Sequence, residues 1–236
     1  MRARQEKPGK IHDDFYSLLH LTLHMKSKLL LCTTLSLTAA VASCLADKAA
    51  DLKPTLIKPG KAIVEDAFDA TALGKNWSAA KGDWQPREGT LVGKEKKEDK
   101  HPAVLMLAQP NRNSAIRFAF KLDGVKSMAL SLNSAKGHLF RVTIQPESLV
   151  INEDKDKKDP ASKTEVLGKA AAKFGDGQWH TLLVEMQGAN VAVQTDNGVK
   201  LAATNAGLDV DKTGYRFVTA GASLLVDDVK VWEVLP

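Results

Sequence analysis

Ser114–Asn133 reads SAIRFAFKLDGVKSMALSLN. Over Ser114–Leu122 the apolar residues Ile116, Phe118, Phe120 and Leu122 fall at every second position, with Ala115, Arg117, Ala119 and Lys121 between them. A period of two belongs to a half-buried β-strand, whose successive side chains point to opposite faces. Asp123-Gly124 then gives a turn signal. Ser127–Asn133 alternates again, with Met128, Leu130 and Leu132 set against Ser127, Ala129, Ser131 and Asn133. The stretch predicts two antiparallel-type strands, each with one apolar and one polar face.

The same reading extends along the chain. Strands are expected at Ala62–Phe68, Gly82–Gln85, Thr90–Gly93, Ala103–Ala108, His138–Gln145, Ser148–Asn152, Trp179–Gln187, Ala189–Thr195, Tyr215–Ala220 and Ser223–Val234. Turn clusters such as Lys136-Gly137, Gly175-Asp176-Gly177 and Asn197-Gly198 separate them. Ala161–Lys173 is left open to a short helix. Many short strands without βαβ alternation predict an all-β, two-sheet antiparallel jelly-roll sandwich, with a closed barrel as the rival. The last strand is expected to pair with the first.

Several segments then line up in order: Glu65-Asp66-Ala67-Phe68, Trp77 before Gly82-Asp83-Trp84, and Glu88-Gly89-Thr90-Leu91-Val92-Gly93. Gly137-His138-Leu139-Phe140-Arg141-Val142, Gly177-Gln178-Trp179-His180 and the closing Asp227-Asp228-Val229-Lys230-Val231-Trp232-Glu233 follow. In this order the chain resembles concanavalin A-like and laminin G-like jelly rolls. More narrowly, it is similar to the secreted bacterial 3-keto-disaccharide hydrolase domain family. The resemblance spans about 62–236 and implies a carbohydrate partner. The family's Asn-Ser-Gly segment is reduced here to Asn133-Ser134-Ala135. The Glu-x-Asp-x-x-Glu strand of family 16 glycosidases, which supplies paired carboxylates, has no counterpart, so the fold analogy does not bring catalysis with it.

Strand parity places a polar face without help from the family. Arg117, Ser131, Asn133, Arg141, Thr143, Gln145 and Glu185 are all expected on outer faces, among small Ala115, Ala119 and Ala129. Planar arginine donors, amides and hydroxyls match sugar hydroxyls. Arg117, Ser131, Asn133, His138, Arg141, Thr143 and Gln145 are therefore the candidate ligand-binding residues. Glu185 and His138 are the candidates for acid–base work. His180 sits on the apolar parity of its strand and is expected in the core. Trp84, Trp179 and Trp232 read as packing residues. No two of His101, His138 and His180 have a metal-ligand spacing, and no cofactor is identified. Asp154, Asp156 and Asp159 suggest calcium only weakly, because Lys155, Lys157 and Lys158 interleave them. Calcium stays unassigned.

The other decisive stretch is Met25–Ala46, MKSKLLLCTTLSLTAAVASCLA. Lys26 and Lys28, an apolar run and a small-residue exit follow the order of an export signal. The apolar run is shorter than a membrane span. Residues 1–24 read as a mis-assigned start or an extended leader, 47–61 as a linker and 62–236 as the domain. Two readings of the exit stay open. Either the chain is cut after Ala46, or Val41-Ala42-Ser43-Cys44 is a lipobox and Cys44 carries a lipid anchor. Either way the expected address is extracytoplasmic, periplasmic or secreted. Residues 1–46 hold six of the 33 Lys/Arg and three of the 28 Asp/Glu, so the net charge of +5 becomes +2 for the remainder. That weakens a nucleic-acid reading. Both cysteines, Cys32 and Cys44, lie in the leader, which leaves the domain to fold on its core alone. The sequence thus favours a carbohydrate-interacting sandwich. A glycoside-cleaving enzyme and a protein-binding adhesion module are the alternatives.

Overall fold

The computed structural model describes residues 48–236. The leader over 25–46, residues 1–24 and the lipid-anchor candidate Cys44 lie outside the described residues. Thirteen strands form the domain: β1 (Pro59–Asp66), β2 (Trp77–Lys81), β3 (Asp83–Pro86), β4 (Leu91–Lys94), β5 (Ala103–Leu107), β6 (Ser114–Ser134), β7 (Gly137–Gln145), β8 (Ser148–Glu153), β9 (Glu165–Ala171), β10 (Trp179–Gln187), β11 (Asn190–Thr195), β12 (Lys200–Thr204) and β13 (Lys212–Val234). Among the described residues, no helix is long and apolar enough to cross a membrane.

Two long strands organise everything else. β6 and β13 pair with each other antiparallel from Ser134 opposite Lys212 to Ala115 opposite Trp232. Their outer neighbours change along the way. The first half of β6 lies beside β10, and the second half beside β7. The first half of β13 lies beside β5, and the second half beside β4 and β1. Both strands therefore pass through two layers. Layer one is β12-β11-β10-β6-β13, continued by β1, β4 and β3, and layer two is β9-β8-β7-β6-β13-β5-β2. Phe118, in the first half of β6, meets Phe217, in the first half of β13, at 5.0 Å between ring centroids. These two residues share no ladder, so the contact crosses the sandwich.

The crossing explains why the expected turn at Asp123-Gly124 is instead a bend within one strand. Gly124 (φ 70) and Gly221 (φ 110) take left-handed conformations side by side at the fold line, where a Cβ is unfavourable. A Cβ on Gly221 would stand 3.2 Å from the Lys126 amide nitrogen. For the same reason Tyr215–Ala220 and Ser223–Val234 are one strand. β1 pairs with the end of β13, Val64 opposite Val231, as expected. Ala161–Lys173 holds strand β9 and no helix. β2 and β12 are short, mostly exposed strands that apolar alternation does not reveal.

Parity predicts the core correctly. Ile116, Phe118, Phe120, Leu122, Leu130, Leu132, Phe140, Val142, Ile144, Leu182 and Val184 are all fully or almost fully buried between the layers. Trp77 and Trp84 belong to that core. Trp77 packs between Phe68 and Phe217, with its Nε1 donating to Asp66 at 2.8 Å.

Residues 48–58, expected as part of a free linker, lie instead as a strap across the outer face of layer one. Glu185 holds the strap. Its carboxylate accepts the amide N–H groups of Thr55, Leu56 and Ile57 at 2.8, 2.7 and 3.0 Å. Gln194 donates to the same carboxylate and to the Lys53 carbonyl. Ile57 packs on Ala115 and Leu183. At the other end Lys48 bonds Asp227, and its amide and that of Ala49 bond Asp228. Charge-assisted bonds of this kind are the strong ones, and each donor left buried without its acceptor costs about 1–3 kcal/mol. Glu185→Ala is expected to lower the unfolding free energy by about 2 kcal/mol. It should also open Leu52–Ile57 to thermolysin. Unchanged stability together with unchanged protease resistance would contradict this role.

Candidate functional site

Because β6 runs through both layers, its polar residues face two opposite ways. Arg117 and Glu185 are on the outer face of layer one. Ser131, Asn133, His138, Arg141, Thr143 and Gln145 are on layer two. The expectation of one polar face is corrected accordingly. Glu185 is fully buried beneath the strap, with its carboxylate engaged by five donors, and no ligand reaches it while the strap is docked.

The outer face of layer two carries no strap. Ser131 stands opposite Arg141 on one side and Arg216 on the other, and Arg141 stands opposite Asn152. This makes a transverse row, Arg216-Ser131-Arg141-Asn152. The next row holds Val218, Ala129, Thr143 and Val150. Small Ala129 and Ser131 keep the middle of the face low between the guanidinium groups. Gln145 lies further along, exposed and accepting the Ser148 hydroxyl at 3.0 Å. Arg141 is fixed by a two-pronged contact with Asp154, Nε to Oδ2 at 3.1 Å and Nη2 to Oδ1 at 2.7 Å. The Asp154 amide in turn donates to the Leu139 carbonyl at 2.8 Å. Planar, bidentate fixation leaves the remaining guanidinium N–H groups aimed along the face.

The face runs into a pocket of about 400 Å³ between the β6–β7 hairpin and the loop over 154–163. Asn133, His138, Glu153, Asp154, Lys157 and Lys163 contribute to its lining. Two buried polar atoms here have no protein partner, Asn133 Oδ1 and His138 Nδ1. Buried polar groups are rarely left unpaired, and these two are the least satisfied polar atoms at the pocket. Burial pushes the His138 imidazole below its usual range, and the nearby Lys157 ammonium adds to the effect while Asp154 opposes it. The ring is neutral near pH 7. The loop holds itself in shape: Asp156 accepts the Lys158 amide, Asp159 accepts the Ala161 amide, and Ser162 Oγ accepts the Asp156 amide. The acids first considered for calcium are thus engaged in turns and with Arg141. Among the described residues no group of three or more His, Cys, Asp or Glu could hold a metal ion.

The other sequence candidates separate cleanly. His180 is a core residue packed against Phe120 and Phe174, with Asp196 Oδ1 3.4 Å from its Nδ1. Neither ring nitrogen has a hydrogen-bond partner. Trp179 lies between the Lys48 and Lys121 ammonium groups, and Trp232 between Arg117 and Lys230, all on layer one. Arg216 and Asn152 escape the sequence reading. Each occupies the polar parity of its strand, so extending the parity rule to β13 and β8 would find them.

The depressed His138 value has a defined consequence. The folded state favours the neutral ring, so the unfolded chain binds the proton more readily. Stability is therefore lost as pH falls through the ordinary histidine value of about 6.5. His138→Gln should flatten the stability profile between about pH 6.5 and pH 5 relative to the parent. Denaturant unfolding at several pH values measures it, and parallel profiles for the two proteins would contradict it.

Known proteins share this architecture. The carbohydrate-binding module CBM66 from Bacillus subtilis superposes with a TM-score of 0.56 at 10% identity, covering 67% of this chain and 96% of the module. SCLam, a non-specific endo-β-1,3(4)-glucanase of family GH16, gives a TM-score of 0.57 at 13% identity, covering 80% and 97%. The laminarinase from Rhodothermus marinus gives 0.57 at 11%, covering 77% and 100%. At such identities the likeness is one of fold, the concanavalin A-like jelly roll. A search of curated protein sequences finds no match. The family profile described as the 3-keto-alpha-glucoside-1,2-lyase-like domain matches residues 64–221, from the first strand to the fold line of β13. The chain belongs to the 3-keto-alpha-glucoside-1,2-lyase-like domain family.

Proposed function

We propose that the protein binds a glycan along the outer face of layer two, with one end of the chain in the pocket beside His138. One observation carries this reading. The uncovered row Arg216-Ser131-Arg141-Asn152 leads to Asn133 Oδ1 and His138 Nδ1, which lack partners. The face offers guanidinium donors, hydroxyls and amides, interspersed with Ala129, Val150 and Val218, which suits a hydroxyl-rich ligand. The family and the carbohydrate-active relatives support the same class of partner. The export-signal order of Met25–Ala46 supports an extracytoplasmic address, where polysaccharide is met.

Glycan-array screening followed by calorimetry tests the reading. Arg141→Ala is expected to weaken the best-bound glycan about tenfold or more, the value of one charged hydrogen-bonding group. Lys121→Ala, on the opposite layer, should leave affinity unchanged. Absence of binding to any polysaccharide, or silence of both Arg141→Ala and His138→Ala, would overturn it.

A second reading, cleavage of a 3-keto-glycoside, is favoured by the neutral His138 ring in a pocket with Lys157. A carbonyl at C3 acidifies the C2 proton. A neutral imidazole accepts that proton, the electron pair passes through the enolate stabilised by an ammonium, and the C1–O bond breaks as the C1–C2 double bond forms. The departing oxygen then takes up a proton. Incubation with a 3-keto-glucoside should release the aglycone from the parent protein and not from His138→Ala. No release from the parent rejects this reading and leaves glycan binding standing.

A further inference from the structure

Arg117 is the least explained charged group in the described structure. Its side chain is only 11% exposed, its Nε is buried without a partner, and the nearest carboxylate is Asp51 Oδ1, 3.7 Å from Nη1 and largely in solvent. Burying a guanidinium N–H without a hydrogen bond is costly. It is nevertheless held in place by Trp232, whose ring lies 5.7 Å from Cζ. The group opens onto a pocket of about 300 Å³ on the outer face of layer one, separate from the layer-two face.

The walls of this pocket are fixed. Asp66 accepts the Trp77 indole N–H and the Phe68 amide at 2.8 Å each. Asp228 accepts strap amides from Lys48 and Ala49. Glu65 pairs with Lys230 at 3.1 Å. Asp228 sits at φ 48 in a bulge of β13 between Asp227 and Lys230, and Phe68 at φ 52 turns the chain after β1. Left-handed residues and bulges of this kind re-aim side chains, and they concentrate at functional sites. Each carboxylate is anchored by one or two donors and keeps lone pairs free, while Arg117 Nε has no partner.

We infer that the Arg117 pocket is a second binding site, for a single neutral pyranose ring. A guanidinium whose ion-pair partner Asp51 is largely in solvent, set beside anchored carboxylates, matches a pair of neighbouring hydroxyls, one accepting from Arg117 and the other donating to Asp228 or Glu65. Three carboxylates against two cations disfavour an anion. The volume is at the small end for ligand pockets and suits one ring. The strap borders the site, because Lys48 and Ala49 bond Asp228 and Asp51 approaches Arg117 Nη1 to 3.7 Å. The strap therefore frames Arg117, whereas it covers Glu185.

The test follows the Arg117 Nε–H resonance by NMR in the full chain, assigned with Arg117→Lys, while neutral methyl pyranosides are added to tens of millimolar. D-glucuronate and inorganic phosphate are run in parallel. The expected result is a saturable shift with at least one neutral pyranoside, weakened about tenfold or more in Arg117→Lys by loss of the planar fork, as read from backbone amides of 227–230. Arg141→Ala should leave it unchanged, which separates this site from the layer-two face. No shift with any neutral pyranoside overturns the inference, as does a shift with glucuronate or phosphate alone. The parent resonance decides between these outcomes even if Arg117→Lys folds poorly.

Discussion

The pairing of β6 with β13 is the constraint on which the rest of the structure depends. The two strands stay hydrogen-bonded while both turn from one layer into the other, so they form the spine of the sandwich as well as its hinge line. The bend needs Gly124 and Gly221 side by side, and once made it fixes which residues share a face. Alternation breaks at the bend, where Val125 is buried and Lys126 exposed, and then resumes in the same parity, so Ile116, Phe118, Phe120 and Leu122 meet Met128, Leu130 and Leu132 in the core. Arg117 and Ser131 are thereby sent to opposite surfaces. The separation of the two polar sites is a consequence of the backbone path.

The two outer faces are then finished differently. Layer two remains open, and Arg141 is fixed at its margin by Asp154. Layer one receives the strap, whose amides turn toward Glu185. A carboxylate buried there alone would be costly. With three amides and a side-chain amide as donors it becomes the anchor for the segment that covers it. A residue whose type and position fit acid–base chemistry is thus used to hold the chain in place.

Much of the fold is legible in the sequence because apolar alternation records burial directly. It places β10 residue for residue, and the inward parity of β6, β7 and β10 is right throughout. What alternation does not record is long-range. Nothing local distinguishes an Asp-Gly hairpin turn from the bend at Asp123-Gly124, since both want a residue with positive φ. β2 and β12 are mostly exposed and bury too little to leave a pattern. The strap has no period, because its order comes from Glu185, Gln194 and Asp228, all more than a hundred residues away along the chain. Of the site, the members on β6 and β7 are legible by parity. Parity on β13 and β8 also marks Arg216 and Asn152 as outward-facing, but only the strand neighbours show that they complete the row and that Arg117 lies on the other layer.

A crystal structure with a bound oligosaccharide tests the central claim most directly. The predicted result is a sugar chain lying across Arg216, Ser131, Arg141 and Asn152, with residues 48–58 still docked on Glu185. A chain bound across β10 and β11, with the strap displaced and Glu185 in contact with sugar, would contradict it.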